Sequence, residues 1–145
     1  MYIKDMMTRR AVSVAPDEPI TAAARLLKRD NIGSVPVCDS KGQLQGIITD
    51  RDIVLRCVAA GVDPDKTLIR DVMTTGVFTV SPTDTVESAA ALMGKAQVRR
   101  LPVCENGTLV GMLSLGDLAC SGACNMEASA ALTEISSGVQ HRTGK

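Results

Sequence analysis

Apolar residues fall at Ile20, Ala23, Ala24 and Leu27, the i, i+3, i+4, i+7 spacing of a helix with one buried stripe. The spacing returns at Val86, Ala89, Ala90 and Met93. Ahead of each helix a short alternating or β-branched segment predicts a strand: Ala11-Val12-Ser13-Val14, ended by Pro16, and Val77-Phe78-Thr79-Val80, ended by Pro82. Acidic turn residues (Asp17 and Glu18; Asp84) predict the helix entries. Behind each helix two further strands are expected. Residues 34–37 and 44–48 are joined by Asp39-Ser40-Lys41-Gly42, and residues 100–103 and 109–113 by Glu105-Asn106-Gly107, an Asn-Gly hairpin signal. A second helix starts at Asp50 and at Leu115. The unit is β-α-β-β-α, written twice.

The two copies align residue by residue. Met7-Thr8 returns as Met73-Thr74, Pro16 as Pro82, and Pro36-Val37-Cys38 as Pro102-Val103-Cys104; past the hairpin turn, Gly46 and Asp52 return as Gly111 and Asp117. Two long copies differ from a solenoid, which needs three or more repeats to bury its core. They predict a mixed α/β fold in which two similar halves pack as a pseudo-two-fold pair around a central cleft. The expected organisation is residues 1–60 as the first repeat, 61–70 as a linker, 71–120 as the second repeat, and 121–145 as a C-terminal helix (residues 127–135) with a frayed tail. Short helices are expected at residues 3–7 and 68–73, leading into the copies.

Composition narrows the function classes. Tyr2 and Phe78 are the only aromatic residues, so a base-stacking surface for single strands is not expected. With 16 basic and 16 acidic residues the net charge is zero, which removes the electrostatic footprint of a nucleic-acid or anionic-membrane binder. No apolar run approaches membrane-spanning length, and a soluble, cytoplasmic protein is expected. Five cysteines occur without a CxxC. Cys38 and Cys104 read as small core residues, whereas Cys120 and Cys124, four apart, leave open a redox or metal-responsive pair. No catalytic set is present: the one histidine, His141, lies in the tail, and neither a P-loop nor a GxGxxG opens a helix.

The residues richest in chemistry close the third predicted strand: Gly46-Ile47-Ile48-Thr49-Asp50-Arg51-Asp52, returning as Gly111-Met112-Leu113-Ser114-Leu115-Gly116-Asp117. Ser/Thr-x-x-Asp entering a helix is a capping box, in which hydroxyl and carboxylate satisfy free backbone donors. A carboxylate at a strand–helix junction also suits the hydroxyls of a ribose, with the neighbouring hydroxyl and amides facing phosphate. The roles are compatible.

Taken with the Met-Thr step and the apolar-Pro-Val step (Val35-Pro36-Val37; Leu101-Pro102-Val103), this motif resembles a pair of CBS domains, the Bateman module, over about residues 3–120. The chain is similar to small stand-alone bacterial two-CBS proteins. The resemblance implies a regulatory module without catalytic activity that binds AMP, ADP, ATP or S-adenosylmethionine and signals to a protein partner by conformational change. It implies one site with Thr49 and Asp52 and another with Ser114 and Asp117. Ala11, Val12, Val77 and Phe78 would bracket adenine, and Arg99 and Arg100, just ahead of Leu101-Pro102, would contact phosphate. Arg51 is a further phosphate candidate. Copy one has Gly33-Ser34 where copy two has Arg99-Arg100, so unequal sites are expected. The bland readings stand beside these: Arg99-Arg100 as a basic pair keeping a strand edge soluble, Arg51 as a solvated first-turn residue. Two other functions stay open, an interaction module with non-functional sites and a cysteine-based sensor. Apolar stripes at Leu55/Val58/Ala59 and Leu118/Ala119 predict a two-fold homodimer.

Overall fold

The protein is described from a computed structural model that covers residues 1–9, 12–120, 131, 132, 134 and 135. Helix α1 spans Ile20–Asp30, strands β1 and β2 span Ser34–Cys38 and Leu44–Thr49, and α2 spans Asp50–Ile53, running on as a π-helical segment over Val54–Val58. The second copy repeats the order as α3 (Val86–Ala96), β3 (Arg100–Glu105), β4 (Thr108–Ser114) and α4 (Leu115–Cys120). Each strand pair is an antiparallel hairpin; β1 pairs with β2 from Ser34↔Thr49 to Cys38↔Leu44, with an irregularity after Val37. Asn106 and Gly107 both adopt positive φ (53° and 81°), the two-residue turn that the Asn-Gly pair predicts.

The strand expected at the start of each copy contracts to one bridge. Val14 pairs in parallel with Val37, and Val80 with Val103. Val14 N–H donates to Pro36 O at 3.0 Å and Val14 O accepts from Cys38 N–H at 2.9 Å. A longer parallel ladder needs an N–H from residue 36 on one side and from residue 16 on the other, and both are prolines, which have none. Pro102 and Pro82 stop the second copy in the same way. The four prolines that mark the repeat therefore also limit its first strand.

The chain divides into two compact units that cross the boundaries of the sequence repeats. A first-copy unit holds Val12–Val77 with Gly107–Leu109; a second-copy unit holds Met1–Ala11, Phe78–Asn106 and Val110–Lys145. The segment leading into copy two thus folds with copy one, and the segment leading into copy one folds with copy two. Both leaders include one 3-10 turn, Ile3–Asp5 and Ile69–Asp71, shorter than the helices expected there. In the first-copy unit Ile69 N–H donates to Glu18 O (2.9 Å) and Arg70 N–H to Pro16 O (3.0 Å), while Thr67 O accepts from Ile20 N–H (3.0 Å) at the start of α1. In the second-copy unit Ile3 N–H donates to Asp84 O (2.9 Å), Lys4 N–H to Pro82 O (3.0 Å), and Met1 O accepts from Val86 N–H (3.1 Å). The leader backbone thereby satisfies donors that the start of a helix leaves free. The acidic residues before the helices brace the turn: Glu18 accepts from Ala15 N–H (2.9 Å) and Asp84 from Ser81 N–H (2.8 Å).

Each unit has its own aliphatic core. Val14, Ile20, Ala23, Leu27, Val35, Val37, Ile48 and Cys57 bury with the leader residues Ile69 and Val72. Val80, Val86, Ala89, Met93, Leu101, Val103 and Leu113 bury with the leader residue Ile3. The second core extends further, taking in Leu118, Ala131 and Ile135. The expectation of an uncovered stripe at Leu118/Ala119 is corrected on this point: Leu118 is fully buried, packed in one cluster with Ala131 and Ile135, and only Ala119 is exposed. Residues 131, 132, 134 and 135 are helical, inside the helix expected over residues 127–135; the rest of that segment lies outside the described residues.

Candidate functional site

Both strand–helix junctions form the capping box that the spacing predicts. In the first-copy unit Asp52 N–H donates to Thr49 Oγ1 and Thr49 N–H donates to Asp52 Oδ2, each at 3.0 Å. In the second-copy unit Asp117 N–H donates to Ser114 Oγ (3.0 Å) and Ser114 N–H to Asp117 Oδ2 (2.9 Å). A carboxylate in a helix's first turn is favoured by the free N–H groups there, and a good cap contributes about 1 kcal/mol.

The motif glycines explain how the leaders reach these junctions. A Cβ on Gly46 would stand 2.5 Å from Thr74 O, and one on Gly111 2.6 Å from Thr8 O. Without those side chains, each leader threonine closes an antiparallel bridge to the strand beside it. Ile47 and Thr74 exchange bonds of 2.9 and 2.7 Å; Thr8 and Met112 exchange bonds of 2.8 and 3.0 Å. Met-Thr and the motif glycine, 27 or more residues apart in either direction along the chain, are two sides of one contact.

The side chains then diverge. The Thr74 hydroxyl donates to the Asp52 carboxylate, 3.0 Å from Oδ1 and 3.1 Å from Oδ2, and Asp52 is buried, 7 % exposed. Thr74 is a residue that the motif reading passes over as a site residue; the signal is its return as Thr8 next to the same glycine. Thr8 is exposed, as Thr74 is, but its hydroxyl makes no hydrogen bond to Asp117 among the described residues. Asp117 is half-buried, and its Oδ1 has no hydrogen-bond partner among them.

The charge beside each motif differs as well. Leu115 N–H donates to Arg99 O at 2.8 Å, which fixes Arg99 and Arg100 at the end of the hairpin where Ser114 and Asp117 lie; both guanidinium side chains are exposed. In the first-copy unit Asp50 N–H donates to Gly33 O at 3.0 Å, and the Asp50 carboxylate lies over Gly33 and accepts from Arg51 N–H at 2.8 Å. An anion in one unit stands where the other has two cations. Arg51 is exposed in the first turn of α2. Pro102 is buried in β3.

Of the residues expected around adenine, Val12 is 39 % exposed, Val77 half-buried and Phe78 58 % exposed. Ala11 lies outside the described residues. Cys38 and Cys57 are buried, and burial pushes the Cys38 thiol up from its ordinary value, against a hydrogen bond from Ser13 that lowers it. Cys124 lies outside the described residues, and among them no group of histidine, cysteine and acidic side chains is arranged to hold a metal ion. No helix among the described residues is long and apolar enough to cross a membrane.

Comparison with known proteins agrees with this geometry. The chain is 42 % identical over 134 residues to the CBS domain-containing protein YhcV of Bacillus subtilis, covering 92 % of this chain and 94 % of that one. It is 33 % identical over 116 residues to hypoxic response protein 1 of Mycobacterium tuberculosis, covering 80 % and 81 %. Among solved structures it is similar to CBSX2 in complex with AMP, with a TM-score of 0.73 at 27 % identity over 83 % of this chain and 95 % of that one. It is equally similar to the CBS domain pair of MJ0100 in complex with 5-methylthioadenosine and S-adenosyl-L-methionine, with a TM-score of 0.73 at 28 % identity over 84 % and 95 %. The CBS domain family model matches twice, over residues 3–58 and 69–120. With both copies of the motif, both leader bridges and both family matches in place, the chain belongs to the CBS domain family and carries two CBS domains in tandem.

Proposed function

We propose that the protein is a regulatory, non-catalytic module that binds an adenosine-containing ligand, and that the second-copy motif is its principal site. In this reading Asp117 holds the ribose hydroxyls through Oδ1, Ser114 faces the ribose or phosphate, and Arg99 and Arg100 pair with phosphate. Planar guanidiniums suit that task. The observation that carries the reading is the Asp117 carboxylate, with one oxygen unpartnered among the described residues, at the end of the hairpin that also carries the exposed Arg99 and Arg100. Complexes of similar CBS proteins with AMP and with S-adenosyl-L-methionine supply the ligand class. Phe78 and Ala11 remain the proposed apolar contacts for adenine in the second-copy unit, and Val12 and Val77 in the other.

Ligand binding biases a conformational equilibrium only through its differential affinity for the two states, and the proposed output is such a shift, read by a protein partner in the cytoplasm. A second copy of the chain is the proposed cover for Val54, Leu55 and Val58, which are 55 %, 49 % and 69 % exposed. Isothermal calorimetry with AMP, ADP, ATP and S-adenosylmethionine on the wild type and on Asp117→Ala tests the proposal. Saturable heat in the wild type that disappears in the variant supports it. No saturable heat with any of the four favours the reading of both motifs as capping boxes in an interaction module.

A further inference from the structure

The Asp52 carboxylate is occupied by the chain itself. The Thr74 hydroxyl spans both of its oxygens at 3.0 and 3.1 Å, and Thr49 N–H takes Oδ2 at 3.0 Å. A ribose held by a carboxylate offers the same chemistry, an alcohol O–H donating to a charged acceptor. Thr74 is not a passing neighbour. Its backbone is pinned by two bonds to Ile47, and Gly46 provides the space that lets it approach. Asp52 is 7 % exposed, so a ribose hydroxyl arriving at this carboxylate has to displace the threonine hydroxyl. The second-copy unit supplies the internal control. Thr8 makes the same backbone bridge to Met112, yet among the described residues its hydroxyl makes no hydrogen bond to Asp117 and Asp117 Oδ1 has no partner.

We infer that Thr74 is a specificity-determining residue that silences the first-copy ribose position by standing in for a ligand hydroxyl. The chain then presents one open ribose-binding carboxylate, Asp117, instead of two. The inference rests on the reading of the motif as an adenosine site. It adds that occupancy of Asp52 is set by a residue of the leader into copy two, so opening the first site means releasing that leader's hydroxyl. The bond lost by a competing ligand is one to a charged group, and removing Thr74 as competitor is worth about ten- to a hundredfold in affinity at that position.

The test counts sites with AMP by equilibrium dialysis on wild type, Thr74→Val, which keeps the shape and loses the donor, and Thr74→Ser, which keeps the hydroxyl. The expected result is about one AMP per chain for wild type and Thr74→Ser and about two for Thr74→Val. In the Asp117→Asn background, Thr74→Val is expected to bind one AMP and its parent none. 2′-Deoxyadenosine monophosphate, which lacks one ribose hydroxyl, is expected to bind the opened site about tenfold or more weakly than AMP. Thermal melts check that each variant is folded, and Thr74→Ala replaces Thr74→Val if the latter melts early. Unchanged stoichiometry in the valine and alanine variants overturns the inference while leaving the Asp117 site standing. Binding only after Thr74→Val overturns the assignment of Asp117 and upholds the inference. Two sites in the wild type overturn the inference, and no binding in any variant overturns both.

Discussion

At the first strand–helix junction a buried Asp52 accepts hydrogen bonds from Thr49 N–H and the Thr74 hydroxyl, with Asp50 beside Gly33. At the second, a half-buried Asp117 accepts one from Ser114 N–H, with Arg99 and Arg100 close by. The backbone at the two places is the same down to the leader bridge and the motif glycine. Duplication has preserved what the fold needs and left free what a ligand would read. The capping box holds both junctions together, so the motif survives as structure wherever binding is lost. In the proposed reading a matched motif alone does not separate a working site from a silent one; the hydrogen-bond partners of its carboxylate do.

A second contrast concerns the helix after each motif. Leu118 is buried with Ala131 and Ile135, whereas Val54, Leu55 and Val58 stand exposed. Leu118→Ala is expected to cost about 2–5 kcal/mol, because a cavity opens in a full core, while Val58→Ala stays within about 0.5 kcal/mol in the monomer. Urea unfolding measures both. Val58→Asp is expected to lower the mass in light scattering without unfolding the chain, if a second copy covers this stripe; an unchanged mass removes it from the dimer interface.

The shared frame is tested next. Gly46→Ala and Gly111→Ala each drive a methyl into a threonine carbonyl, and each is expected to destabilise by about 1–3 kcal/mol. A free pass for one of them breaks the claim that both leaders are held alike. The carboxylates separate the two roles. Asp52→Ala removes the acceptor of the Thr74 hydroxyl and is expected to cost about 1–3 kcal/mol of stability, against about 1 kcal/mol for Asp117→Ala, where only the cap is lost. The smallest stability effect is expected for Arg99→Ala and Arg100→Ala, within about 0.5 kcal/mol in thermal or chemical unfolding. Each should still weaken AMP about tenfold in calorimetry, with a reduced dependence on salt.

Much of this was legible in the residues. The 3.6-residue spacing of Ile20, Ala23 and Leu27 and of Val86, Ala89 and Met93 places both long helices, and Asn106-Gly107 marks its hairpin turn. The Ser/Thr-x-x-Asp spacing gives both capping boxes, and the absence of arginine at Gly33-Ser34 marks the junctions as unequal. What stayed hidden depends on contacts distant in sequence. That Ile3 buries with copy two and Ile69 with copy one is invisible to a reading that moves along the chain, because a leader and its docking site lie tens of residues apart. The contraction of the first strand to a bridge at Val14 or Val80 depends on which proline faces it, a property of register. The Thr74–Asp52 bond belongs to the same class. Gly94 carries a subtler signal, since a Cβ there would lie 3.2 Å from Ala131 Cα; its counterpart Lys28 is exposed.

The central claim is that one fold, written twice, carries one open ribose carboxylate. Native mass spectrometry of the wild type, Asp52→Asn and Asp117→Asn with AMP tests it most directly, by counting ligands per chain. The account predicts one AMP on the wild type, one on Asp52→Asn and none on Asp117→Asn. Two AMP molecules on the wild type, or loss of binding with Asp52→Asn and its retention with Asp117→Asn, would contradict it.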